Sequence, residues 1–106
     1  MRTALLPLLL LAACAPPAPP MPPPDAAAGQ RLAEQRCAAC HAVGRTGASP
    51  RANAPAFRDL HNRYPVDQLA EALAEGIVTG HPDMPAFTFD RAEIEAFLAY
   101  LRSLER

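Results

Sequence analysis

The chain has 106 residues, with ten arginines and no lysine against eleven aspartates and glutamates, and a formal charge of −1. That length bounds it to one small domain, and the charge balance excludes the basic patch that marks a nucleic-acid binder or a peripheral binder of anionic membranes. Four Phe, two Tyr and no Trp are a thin aromatic supply for a core of this size.

Met1-Arg2-Thr3 opens the chain with a positive charge, Ala4 to Leu11 is apolar and broken only by Pro7, and Ala12-Ala13 closes the run with small residues. Residues 1–13 therefore read as an export signal, too short to cross a bilayer as a helix. Leu11-Ala12-Ala13-Cys14 resembles the lipobox of bacterial lipoproteins. The resemblance implies cleavage behind Ala13, a lipid on the Cys14 sulfur, and a membrane anchor on the periplasmic side of a bacterial membrane. An ordinary secretory signal cut near Ala13 or Ala15 is the alternative. Seven of the ten residues from Ala15 to Pro24 are proline, a density that excludes packed structure, because each ring fixes φ and removes a donor. Residues 14–24 are expected to form an extended tether of about 30 Å, at about 3.1 Å per residue. Loss of residues 1–13 takes Arg2 and leaves nine arginines against eleven carboxylates, a formal charge of −2. The folded domain is expected over residues 25–106.

Asp25 is placed to cap a first helix that runs through good helix formers up to Cys37. Gly29, Leu32, Ala33, Cys37 and Cys40 share one face by their three- and four-residue spacing. Glycine inside a helix costs up to about 1 kcal/mol against alanine, so Gly29 points to a close approach by another element. Cys37-Ala38-Ala39-Cys40-His41 follows, expected on the last turn of that helix. A bare C-x-x-C is open among a redox disulfide, half of a zinc site and a haem site. The added histidine narrows it to C-x-x-C-H, the attachment signature of a c-type haem. Thiols three apart can reach the two vinyl groups of one porphyrin and form thioethers, and the next residue can offer its imidazole to the iron. Cys37 and Cys40 are thus the candidate covalent attachments of one haem c, and His41 its candidate axial ligand. With a lipid on Cys14, none of the three cysteines is left as a stray thiol.

A middle helix is expected from about Pro65 to Glu75, stopping at Gly76, with Val66, Leu69, Ala70 and Leu73 on its buried face and Asp67, Glu71 and Glu75 opposite. The C-terminal helix carries the plainest signals. Asp90 and Glu93 are spaced as a capping box, and Ile94, Phe97, Leu98, Leu101 and Leu104 form an apolar stripe with Tyr100 beside it. No segment alternates as a strand would. Three short helices with few aromatics need a cofactor to complete a core, and a porphyrin would supply the missing apolar area.

From Asp25 to Arg106 the chain resembles a small class I cytochrome c, an all-α fold of three main helices around one covalently bound haem. In that family a glycine stands eight residues before the first haem cysteine, as Gly29 does here. An aromatic of the C-terminal helix crosses that glycine, a place for Phe97 or Tyr100. The resemblance further implies a proline carbonyl supporting the proximal histidine, for which Pro55 is the candidate and Pro50 a competitor. It also implies a methionine loop before the last helix. Gly80-His81-Pro82-Asp83-Met84-Pro85-Ala86-Phe87 has that character, with Met84 as sixth ligand and His81 and His61 as rivals. A tryptophan that often holds a haem propionate is missing, and Tyr64, Arg51 or Arg58 are left for that role.

The expected function is single-electron transfer between redox partner proteins by a tethered periplasmic carrier, with no nucleic acid, no small-molecule substrate and no catalysis. Rival expectations are the haem subunit of a periplasmic dehydrogenase, a haem sensor or peroxidase-like protein with a labile Met84, and a zinc or dithiol protein.

Overall fold

Polar caps set where the helices begin. In the computed structural model, which describes residues 14–20, 23–76 and 83–106, the Asp25 side chain accepts a hydrogen bond from the Ala27 amide at 2.9 Å and opens α1, Ala26–Arg36. Asp90 accepts from the Glu93 amide at 2.8 Å while Glu93 Oε2 accepts from the Asp90 amide at 3.0 Å. This reciprocal box satisfies two otherwise orphaned donors and opens α3, Arg91–Ser103. Between them lies α2, Leu69–Glu75, closed by Gly76 in the left-handed region at φ 71°, a conformation that favours glycine. All three are α-helices, and no strand occurs among the described residues. Residues 1–13 of the expected signal, Met21 and Pro22 of the expected tether, and Gly80, His81 and Pro82 of the expected methionine loop lie outside the described residues.

Helices α1 and α3 pack against each other, and the crossing is at Gly29. A Cβ at that position would stand 2.0 Å from the Ala96 carbonyl oxygen and 2.8 Å from Tyr100 Cβ, so the backbones meet there with no room for a methyl group. Tyr100 is the aromatic at the crossing. Phe97 turns instead into the core, where its ring meets Phe57 edge-on at 5.7 Å and Phe89 at 5.7 Å. The core joins these three rings to Ala33, Leu60, Val66, Ile94, Leu98, Leu101 and Leu104. Ala33 is wholly enclosed, and Leu101, 1% exposed, is the most enclosed of its large side chains.

Two sequence expectations need correction, and a third gains a contact. The middle helix does not start as an α-helix at Pro65: Val66–Gln68 is a 3-10 turn, and only from Leu69 is the helix α. Pro65 supplies no amide donor, and its extended backbone (ψ 127°) holds the chain outside the helix. Asp67, expected with Glu71 and Glu75 opposite the buried face, is exposed as they are, and its carboxylate also pairs with Arg102 of α3. Finally, the cysteine motif does not ride on the last helical turn. Cys37 leaves the helix at φ −121°, and its amide and that of Ala38 both reach the Ala33 carbonyl, at 2.9 and 3.1 Å.

Candidate functional site

The turn Cys37–His41 is wound by its own backbone: the Cys40 and His41 amides both donate to the Cys37 carbonyl, at 3.2 and 2.9 Å. Arg36, the last residue of α1, fixes the entry to it. Its guanidinium lies 4.9 Å from the centre of the Phe89 ring and 3.3 Å from Glu93 Oε1, a cation–π and ionic pairing that locks the end of α1 onto α3. Cys37 and Cys40 are free thiols, both half-buried. Burial, opposed only in part by Arg36, pushes the Cys37 thiol up to about 11.

His41 is oriented by the loop that follows. Its Nδ1 lies 2.7 Å from the Pro55 carbonyl oxygen. A carbonyl only accepts, so Nδ1 carries the hydrogen and Nε2 is left with a lone pair to offer a metal. Pro55, not Pro50, makes this contact. The Phe57 ring packs 5.0 Å from the imidazole, and the Phe57 amide donates to the Ala42 carbonyl at 2.9 Å, clamping the loop on both sides of the histidine. The first turn after Pro55 is a 3-10 helix, Phe57–Asn62, with Phe57 and Leu60 buried.

Further bonds pin the same loop from outside. Tyr100 of α3 donates to the Val43 carbonyl at 2.5 Å, and Arg45 Nη2 donates to the Ser103 carbonyl at 2.7 Å. The Ala42 amide donates to Ser49 Oγ at 3.0 Å. Among the candidates for a propionate, Arg58 Nη2 is engaged with the Gly47 carbonyl at 2.8 Å while its buried Nη1 has no partner among the described residues. Arg51 pairs with Asp83 at 3.0 Å, and Tyr64 is 38% exposed.

Met84 sits at a bend, seven residues before α3, and is 37% exposed. The rings of Phe87 and Phe89 stack beyond it at 6.3 Å. His61 is exposed at the end of the 3-10 helix, and His81 lies outside the described residues. Sequence reasoning missed Phe57, Ser49 and the Val43–Tyr100 bond. The spacing of Phe57 and Leu60, two and five residues after Pro55, was the one local signal of a buried turn there.

These residues fit a c-type haem. Two half-buried thiols stand beside an imidazole whose Nε2 lone pair is uncommitted. Helix α2 has no fully buried residue, and Leu69, Ala70 and Leu73 pack against the core while only partly buried. Among the described residues no cluster of three or more His, Cys, Asp or Glu side chains is arranged to hold a metal ion. Comparison with known families finds a match to the family described as Cytochrome c over residues 26–105, from the start of α1 to the turn that closes α3. No curated protein matches the chain.

Proposed function

Because the chain belongs to the cytochrome c family, which carries covalently bound haem c, we propose that it is a monohaem electron carrier held by a lipid to the periplasmic face of a bacterial membrane. Haem c supplies a one-electron Fe(III)/Fe(II) couple when bound. Cys37 and Cys40 hold the porphyrin through thioethers, and His41 offers Nε2 to the iron. The observation that carries this assignment is the 2.7 Å contact from His41 Nδ1 to the Pro55 carbonyl. It sets the tautomer, orients the ring and raises the basicity of the ligating nitrogen.

Met84 would offer its thioether to the iron as the second protein ligand. Sulfur is a soft, uncharged donor that favours the reduced metal and raises the potential relative to a second imidazole. With both His41 and Met84 holding the iron, these residues would leave no ligand site for a substrate, which supports reading the chain as a carrier of electrons. Partners meet it in the brief, small-area encounters typical of redox proteins.

Cys14 is exposed, and residues 15–20, 23 and 24 after it are exposed and without helix or strand. Among the described residues no helix is long and apolar enough to cross a membrane. Acylation of Cys14 by two chains or more gives stable attachment where one chain gives only marginal binding. The proline spacer then lets the domain reach roughly 30 Å from the bilayer and meet membrane-bound partners at high local concentration.

One preparation tests both parts. The full chain, expressed with a haem-attachment system, should colour the membrane fraction red, and the colour should stay with the protein through denaturation and acid–acetone extraction. Cys14→Ser should move the same spectrum into the soluble periplasm or leave the signal uncleaved. Haem that washes out overturns the attachment. A wild-type protein found soluble, with an unmodified N-terminus near Ala15, removes the anchor and leaves a diffusible carrier.

A further inference from the structure

One half-buried arginine near the cysteine motif keeps a positive charge that no carboxylate of the chain answers. All eleven aspartates and glutamates lie among the described residues, and the ion pairs formed there engage Arg31, Arg36, Arg51, Arg91 and Arg102. Arg45 donates to the Ser103 carbonyl at 2.7 Å, at the end of α3 where a helix presents its negative pole. Arg63 and Arg106 are exposed to water. Arg58 has none of these outlets in full. It is half-buried, its Nη2 donates to the Gly47 carbonyl at 2.8 Å, and its buried Nη1 has no hydrogen-bond partner among the described residues.

Arg58 is also placed against the support of the candidate axial ligand. It stands on the 3-10 helix Phe57–Asn62, directly after Phe57, whose ring lies 5.0 Å from the His41 imidazole. The Gly47 carbonyl that it holds belongs to the loop between His41 and Pro55, and that loop ends at the carbonyl 2.7 Å from His41 Nδ1. The guanidinium is thus tied to the segment that orients the imidazole. A buried donor without an acceptor is rare and calls for a reason, and a partly desolvated charge is costly to keep. A redox centre supplies the reason. Reduction of Fe(III) to Fe(II) adds one negative charge, and a fixed positive charge nearby in a medium of low dielectric favours the reduced state.

We propose that Arg58 raises the reduction potential of the bound haem through its unanswered charge. The role rests on the reading of the chain as a haem carrier with His41 on the iron. Arg58 acts through its field and not as a ligand. Between unit charges about 10–12 Å apart, at an effective dielectric of about 20–40, the interaction changes an equilibrium constant by about threefold to fifteenfold.

Redox equilibrium of the haem-loaded full chain with a small one-electron mediator dye reads this directly. The reduced dye passes one electron to Fe(III), giving Fe(II) and the oxidised dye. Arg58→Gln and Arg58→Met should each lower the equilibrium constant for haem reduction by about threefold to fifteenfold. Arg58→Lys keeps the charge and should stay within about twofold of the wild type. Arg63→Gln removes an exposed charge from the same stretch of chain and, because water and ions screen such a charge, should also stay within about twofold. Gln and Met variants that match the wild type overturn the role. So does a Lys variant that falls with them, or an Arg63→Gln protein that falls as far. Haem content separates the two levels. If the wild type takes up no covalent haem, the carrier reading and the role of Arg58 fall together. If it takes up haem and titrates as a one-electron couple while the Arg58 variants titrate unchanged, the role of Arg58 alone is wrong.

Discussion

The Tyr100 hydroxyl donates to the Val43 carbonyl at 2.5 Å, while its Cβ is one of the atoms that a side chain at Gly29 would strike. One residue of α3 therefore both meets α1 and holds down the loop just after His41. Its pKa is raised above the usual value near 10, chiefly by burial, with the Glu34 charge adding to the rise and Arg45 opposing it. The sign follows from linkage: the folded state keeps the proton after the unfolded chain has lost it. Stability from this group is complete below about pH 10 and is lost as pH climbs through the raised folded value. Tyr100→Phe should cost about 1 kcal/mol at pH 7, because the Val43 carbonyl loses its donor. The variant should also lose stability less steeply above pH 10. Urea unfolding of both proteins from pH 7 to 11 checks this, and parallel pH profiles would contradict the role given to the hydroxyl.

Among the elements, the crossing of α1 and α3 is the joint on which the site depends, since one helix delivers the cysteine motif and the other pins the loop behind it. Gly29→Ala gains up to about 1 kcal/mol in helix propensity. It also forces a methyl group to within 2.0 Å of a backbone oxygen that cannot rotate away. Overpacking of this kind costs about 1–3 kcal/mol or more as the helices separate, and here the clash wins. For a domain of this size a net loss of about 2 kcal/mol lowers the unfolding midpoint by roughly 8–16 °C. A raised midpoint in thermal melts of the haem-loaded variant would show that the helices do not meet at Gly29. The caps at Asp25 and at Asp90–Glu93, and the stop at Gly76, were legible because each is decided within a few residues. The choice between Phe97 and Tyr100 at the crossing was not. Both lie on the buried side of α3, and only the rotation of the helix about its axis separates them. The 3-10 helix Phe57–Asn62 escaped notice because no side chain caps it. It is fixed instead by the Phe57–Ala42 bond, between residues fifteen apart.

At the scale of the whole molecule, eleven of the described residues make up the buried cluster, and α2 lies against it with no residue fully buried. That is little cover for a domain with no disulfide among the described residues, which is why the porphyrin belongs to the fold as much as to the chemistry. The C-x-x-C-H motif stands out in the sequence because its five residues are contiguous and its two thiols and its imidazole each suit a separate chemical task. Pro55 against Pro50 was not decidable from spacing, since it depends on the path of the chain from Ala42 to Phe57, which long-range bonds set. Met84 was reached through resemblance to a family, and the loop before it has no local pattern that would identify it. The most direct test of the carrier reading is therefore the weak charge-transfer band that a thioether ligand gives the oxidised protein near the red end of the visible spectrum. It should be recorded for the wild type, Met84→Ala and His81→Ala. The band should be present in the wild type and in His81→Ala and absent from Met84→Ala, which should also bind carbon monoxide when reduced. A band that survives Met84→Ala and disappears in His81→Ala would contradict the axial pair and, with it, the account of how this chain holds its iron.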